Sequence, residues 1–112
     1  MDRLEKKVKL VNKLGLHARP AVNLVKSTTG LNCSVRLRVD DMDVDGRSIM
    51  EVLMLGAPFG TEIEVVTEGK HAQECMDRIV QTVETGLGEG IHIEEPKTGI
   101  FGKLKGVFGS ST

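Results

Sequence analysis

Apolar residues recur along this chain with two periods, two and about 3.6 residues, and the period changes at glycines and short polar stretches. From Lys6 to Asn12 the sequence KKVKLVN alternates, with Val8 and Leu10 on one face and Lys7, Lys9 and Val11 on the other, which predicts an antiparallel strand with one wet face. In HARPAVNLVKSTTG, Ala18, Ala21, Val22, Val25 and Thr29 fall at helical spacing. Pro20 is tolerated in a first turn, where its missing N–H breaks no intrahelical bond. A helix over about residues 18–29, stopped by Gly30, is the expectation, with His17 at or just before its first turn.

Residues 32–40 read NCSVRLRVD and set Cys33, Val35, Leu37 and Val39 against Ser34, Arg36 and Arg38, a second strand. Asp40 and Asp41 favour a turn, and Met42 to Val44 is long enough for a short returning strand before the Asp45-Gly46 turn. Ser48 with Glu51 three residues later fits a capping box, and Ile49, Val52 and Leu53 fit one face of a short helix. Residues 61–68 alternate again, with Ile63 and Val65 opposing Glu62, Glu64 and Val66. His71 to Leu87 places Ala72, Cys75, Met76, Ile79, Val80 and Val83 at intervals of three and four, the last helix of the pattern. The order is βαββαβα. One sheet with the helices on one face buries all these stripes together, an α+β layer rather than a doubly wound fold.

The pattern changes after Gly86, and seven of the 13 glycines fall at or after that residue. GLGEGIHIEEPKTG reads as a linker. Beyond it, Ile100, Phe101, Leu104, Val107 and Phe108 form a helical stripe interrupted by Gly102 and Gly106. Each interior glycine costs about 0.5–1 kcal/mol relative to alanine, so this segment needs something to lie against. It reads either as a tail or arm on the domain, or as a helix that docks on a partner or a membrane surface. The domain boundary is therefore placed at 1–88, with 89–112 as a Gly-rich extension, and deletion of residues 91–112 is expected to leave folding and activity intact.

Charge and composition narrow the classes. With 112 residues the chain suits one domain, without room for two lobes and a cleft. A net charge of -1 with mixed signs supplies no footprint for nucleic acid. MDRLEKKVKL lacks the apolar run of a secretory signal and no stretch reaches the length of a membrane span, so a cytoplasmic setting is expected. Cys33 and Cys75, 42 residues apart within apolar patterns, are expected to be buried free thiols. Asp40, Asp41, Asp43 and Asp45 lack the twelve-residue loop of a calcium site and read as a solvated hairpin. His71 and His92 carry no metal-ligand spacing, and no metal or cofactor is expected.

NKLGLHARP holds the chemically suggestive arrangement. His17 adjoins a helix start, where unpaired N–H groups and the helix dipole attract an anion, and Arg19 follows two residues on with a guanidinium suited to phosphate oxygens. These positive groups disfavour the imidazolium and leave a neutral ring nitrogen as a nucleophile for covalent phosphoryl capture.

NKLGLHARPAVNLVK resembles the phosphorylation-site segment of the HPr family, the small phosphocarriers of the bacterial phosphotransferase system. The likeness runs through Ser48-Ile49-Met50 and Leu53-Met54-Leu55-Gly56 to about Gly88, close to four-fifths of the chain. It implies an open-faced β-sandwich of four antiparallel strands and three helices. It also implies a relay rather than an autonomous enzyme: His17 accepts phosphate on Nδ1 from phosphorylated enzyme I and passes it to a IIA-type domain. In that likeness Arg19 and the backbone N–H groups of Ala18 and Arg19 stabilise the phosphate, Gly15 makes the turn before the histidine, and Pro20 opens the helix. Ala18, Ile49, Met50 and Leu53 correspond to the docking surface of a monomer.

Ser48 carries two readings: the helix N-cap, worth about 1 kcal/mol, and, from the resemblance, a regulatory phosphoacceptor for an HPr kinase/phosphorylase. Glu51 stands where kinase-regulated members usually have glycine, adding negative charge beside the serine. NKLGLHARPA and the LMLG segment look as much like the nitrogen-related branch of the family, which implies a regulatory binding module whose phosphorylation state controls partners rather than sugar uptake, whereas Ser48-Ile49-Met50 leans toward the sugar-transport carrier.

Overall fold

Alternation along four segments produces one antiparallel sheet. The computed structural model describes residues 2–93, and in it the strands are β1 (Asp2–Lys9), β2 (Ser34–Val39), β3 (Met42–Asp45) and β4 (Glu62–Gly69), in the order β1-β4-β2-β3. The helices are α1 (Ala18–Lys26), α2 (Ile49–Leu55) and α3 (Ala72–Glu84). β4 runs antiparallel to both β1 and β2, so β1 and β2 are co-directional and α1 crosses between them; β3 and β4 are likewise joined through α2. Two such crossovers set the helices on one face of the sheet. This is the open-faced βαββαβα architecture expected from the sequence.

The core lies between that face and the helices. Val8, Val35, Leu37, Val44, Ile63 and Val65 from the strands meet Ala21, Leu24, Val52, Met76, Ile79 and Val83 from the helices. The opposite face, apart from the buried Val66, is polar and carries a charge ladder: Arg36 Nε donates to Asp43 Oδ1 at 2.9 Å, and Arg38 donates to Asp43 Oδ2 at 3.2 Å and to Glu64 Oε1 at 3.4 Å. The Arg36 hydrogen bond, partly opposed by desolvation and reinforced by the charges of both arginines, holds the Asp43 carboxyl below its ordinary 3.8.

Element bounds shift in several places, with β2 keeping only Ser34–Val39 of the expected 32–40 and α3 ending at Glu84 rather than Leu87. The first strand begins earlier and ends at Lys9, because its register is set by backbone pairing from Asp2↔Gly69 to Lys9↔Glu62 rather than by the apolar residues alone. Leu10 keeps two bonds to the chain before β4, from its N–H to Thr61 O and from Gly60 N–H to its own carbonyl, both 2.9 Å, and the strand pairing then ceases. The first helix ends at Lys26 rather than near residue 29, closing in turns through Thr29.

The cysteines are a correction. Cys33 and Cys75 are not free thiols but form a disulfide, with Cα atoms 6.9 Å apart. Asn32 and His71 explain the encounter: His71 N–H donates to Asn32 O at 2.9 Å and Asn32 N–H donates to His71 Nδ1 at 2.8 Å, zipping the entry of β2 to the start of α3. Cys33 follows Asn32 directly, and Cys75 lies one turn past His71. Spacing in the sequence says nothing of such tertiary proximity. Arg47 ties the same loop from the other side, donating to the carbonyls of Thr28, Leu31 and Cys33 at 3.2, 2.8 and 2.5 Å.

The candidate amphipathic stripe from Ile100 to Phe108 and most of the extension lie outside the described residues.

Reduction of the Cys33–Cys75 bond by a dithiol is expected to lower the unfolding free energy by about 2–4 kcal/mol, since the crosslink closes a long loop in the unfolded chain. Urea unfolding with and without reductant measures this, and identical midpoints contradict it. For Asp43 the depressed folded value means that its contribution to stability is present above the unfolded value, near 3.8, and is lost as pH falls through the lower folded value. An NMR titration of the Asp43 carboxyl is expected to give a midpoint below 3.8, rising toward that value in Arg36→Ala.

Candidate phosphoryl-acceptor site

The loop between β1 and α1 delivers His17 to the helix start, and its path depends on Gly15. This residue sits at φ 66, and a Cβ there would run into the backbone of Ala57 and Pro58. The close approach is fastened by Leu16 N–H donating to Ala57 O at 2.9 Å. Leu16 is buried and anchors the loop in the core.

His17 is the N-cap of α1, with extended backbone geometry, and its carbonyl accepts the first helical bond from Ala21 N–H at 3.0 Å. Its side chain does not cap the helix and the first turn holds no acidic residue. Among the described residues no acceptor meets the N–H groups of Ala18 and Arg19, which lie at the positive end of the helix. Pro20 is buried in this turn. Arg19 is exposed, and among the described residues its guanidinium makes no hydrogen bond or ion pair.

The imidazole is engaged at one nitrogen. His17 Nε2 lies 2.8 Å from Glu89 Oε2, and the other carboxylate oxygen, Oε1, accepts from Asn12 Nδ2 at 2.9 Å. Asn12 is fully buried and is held in turn by donating to Gly15 O at 2.8 Å. Glu89 reaches this position because the chain folds back after α3 through Gly86 at φ 93, where a Cβ would meet the Gly90 backbone. Leu87 is buried, with its carbonyl accepting from Asn23 Nδ2 of α1 at 2.8 Å. His92 fixes the far end of this strap: its N–H donates to Val11 O at 2.6 Å and its ring meets Phe59 edge to face at 5.0 Å. A shallow depression of about 310 Å³ beside Glu89 is lined by Lys13, Leu14, Glu89, Gly90, Ile91 and His92.

The apolar surface lies on α2, which packs against α1. Val52 and Leu55 enter the core, while Ile49, Met50, Leu53 and Met54 are exposed. Leu14, in the loop before His17, is also exposed. Ser48 caps α2, its Oγ accepting from Glu51 N–H at 3.3 Å; the Glu51 carboxylate turns to Asp45 N–H at 2.9 Å instead of closing the capping box. His71 is occupied by Asn32, near the C-terminal end of α1 and away from His17. Local sequence pattern singles out His17, Arg19, Ser48 and most of the α2 surface, but not Asn12, Leu14, Met54 or Glu89. Met54 has a signal, as an apolar residue off the buried stripe of its helix. Glu89 has none, lying in a glycine-rich stretch whose fold-back depends on tertiary contacts.

Among the described residues no helix is long and apolar enough to cross a membrane. The family model described as the PTS HPr component phosphorylation site matches residues 4–85. The phosphocarrier protein HPr of Pseudomonas aeruginosa is 39% identical over 84 residues, spanning 74% of this chain and 93% of its own. That of Pseudomonas putida is 38% identical over 86 residues, spanning 76% and 96% respectively. Among solved structures, HPr from Thermoanaerobacter tengcongensis superposes with a TM-score of 0.74 at 30% identity, covering 79% of this chain and 99% of that one. An uncapped helix start presenting a histidine and an arginine, on a fold and sequence shared with these carriers, identifies the chain as a member of the HPr family of phosphocarriers of the phosphotransferase system, a carrier rather than an autonomous enzyme.

Proposed function

We propose that His17 accepts a phosphoryl group on Nδ1 from phosphorylated enzyme I and passes it to a histidine of a IIA-type domain. This reading rests on the N-cap position of His17, with no side-chain cap on the first turn and the exposed Arg19 two residues on, its guanidinium without a partner among the described residues. The Nδ1 lone pair attacks phosphorus, the bond from phosphorus to the donor's ring nitrogen breaks, and the electron pair returns to that donor. The N–H groups of Ala18 and Arg19 and the Arg19 guanidinium balance the charge of the transferred group. Gly15 and Pro20 set the geometry of the turn. Ile49, Met50 and Leu53 supply the apolar contact for both partners, with Ala18 beside the reacting ring.

Ser48 has a second role in this reading, as a regulatory phosphoacceptor. Its hydroxyl already serves the α2 cap, and a phosphate there adds about two negative charges within the docking surface.

Incubation with phosphoenolpyruvate and enzyme I is expected to place one acid-labile phosphoryl group on the chain, absent from His17→Ala. In Arg19→Ala, kcat/KM for acceptance is expected to fall about 10- to 100-fold, the range for losing a charge-assisted contact made in transfer. Labelling that persists in His17→Ala would overturn the assignment. Treatment of wild type and Ser48→Ala with an HPr kinase and ATP tests the serine, with acid-stable phosphate expected only on the wild type.

A further inference from the structure

Among the described residues, Glu89 makes a contact at the reacting ring that the relay does not use. A carboxylate oxygen only accepts hydrogen bonds, so the 2.8 Å contact requires a proton on His17 Nε2. In the neutral ring that proton leaves the lone pair on Nδ1. The opposite tautomer would set the Nε2 lone pair against a carboxylate oxygen at the same distance, with repulsion in place of a bond. The carboxylate cannot swing away freely, because its other oxygen is held by Asn12, and Asn12 is buried and fixed by the Gly15 carbonyl. The chain Gly15, Asn12, Glu89, His17 thus connects the tight turn to the ring.

We propose that Glu89 is a positioning residue for phosphoryl transfer, holding the ring in the Nε2–H tautomer and offsetting the positive charge that develops on it; this rests on His17 being the acceptor. When the Nδ1–P bond forms and the donor's N–P bond breaks, no proton leaves Nε2, so the neutral ring becomes an N-phosphoryl imidazolium. Glu89 sits on the ring nitrogen that keeps its proton, across the ring from the phosphoryl oxygens. Its negative charge lies closer to the new cation than to the incoming group, so attraction to the ring outweighs repulsion of the phosphoryl oxygens. With Nε2 covered, Nδ1 is the nitrogen a donor can reach. The side chains of His17 and Glu89 remain 38% and 24% exposed, so solvent screening keeps the charge contribution modest.

Two substitutions separate this role from a merely structural one. In Glu89→Ala the ring loses its acceptor, a mixture of tautomers is expected, and the acceptance rate falls about threefold, as for a partly screened charge. Glu89→Gln keeps size and shape but has one oxygen. Asn12 Nδ2 requires an acceptor, so the amide oxygen turns to Asn12 and the NH2 group faces His17 Nε2. The ring is then driven to the Nδ1–H tautomer, the nucleophilic lone pair is lost, and acceptance is expected to fall about 10-fold or more, which at 1.36 kcal/mol per tenfold exceeds the loss in Glu89→Ala.

Long-range 1H–15N correlation spectra of the His17 ring, recorded where it is neutral, give the tautomer without any partner protein. Stopped-flow transfer from phosphorylated enzyme I gives the rate, and thermal melting verifies that both variants fold. A reversed tautomer and the slower rate in Glu89→Gln support the proposal. An unchanged Nε2–H tautomer in both folded variants, or variant rates equal to wild type, overturns it. Failure of wild type to accept phosphate at all would sink the relay instead, and the tautomer spectra would still decide whether Glu89 orients the ring.

Discussion

The approach of Gly15 to the Ala57 carbonyl is the constraint on which the site depends. No residue with a Cβ fits that contact, and its consequence is positional: Leu16 drops into the core, His17 becomes the N-cap of α1, and the next residues enter the helix with their N–H groups open. The same glycine gives its carbonyl to Asn12, which holds Glu89, which holds the imidazole. One backbone contact therefore sets both the place and the orientation of the ring.

The sheet makes that contact possible. The backbone bonds of Leu10 to residues 60 and 61 bring the end of β1 beside the chain between α2 and β4, and the crossover through α2 brings Ala57 there from the other direction. The helix that supplies the exposed apolar surface is thus the one that leads into the residues bracing the histidine loop. Under the proposed relay, a partner docking on the exposed Ile49, Met50 and Leu53 would rest on a helix that packs against α1.

Local features of this fold are legible in the amino-acid sequence, and distant ones are not, for a physical reason. Val35, Leu37, Ile63 and Val65 alternate because one sheet face is dry, and Ser48 with Glu51 marks a helix start because the bond is local. His17 and Arg19 stand out because a helix N-terminus is written in neighbouring residues. The features that local pattern does not mark depend on segments far apart in the chain. Cys33 and Cys75 are 42 residues apart and meet through Asn32 and His71, while Glu89 reaches His17 across 72. Nor does periodicity mark the start of β1: Asp2, Arg3 and Glu5 are charged, and backbone pairing with β4 extends the strand through them. The resemblance to the phosphocarriers supplies the relay, whereas the ring's second contact exists only in the folded chain.

The atom that carries phosphate decides whether His17 is the acceptor. Phosphorus and nitrogen NMR of the full chain, charged by enzyme I and phosphoenolpyruvate, reads the phosphorylated atom. One phosphoryl group coupled to Nδ1 of His17 is expected; phosphate on Nε2, on another residue, or on none would rule out His17 Nδ1 as the acceptor.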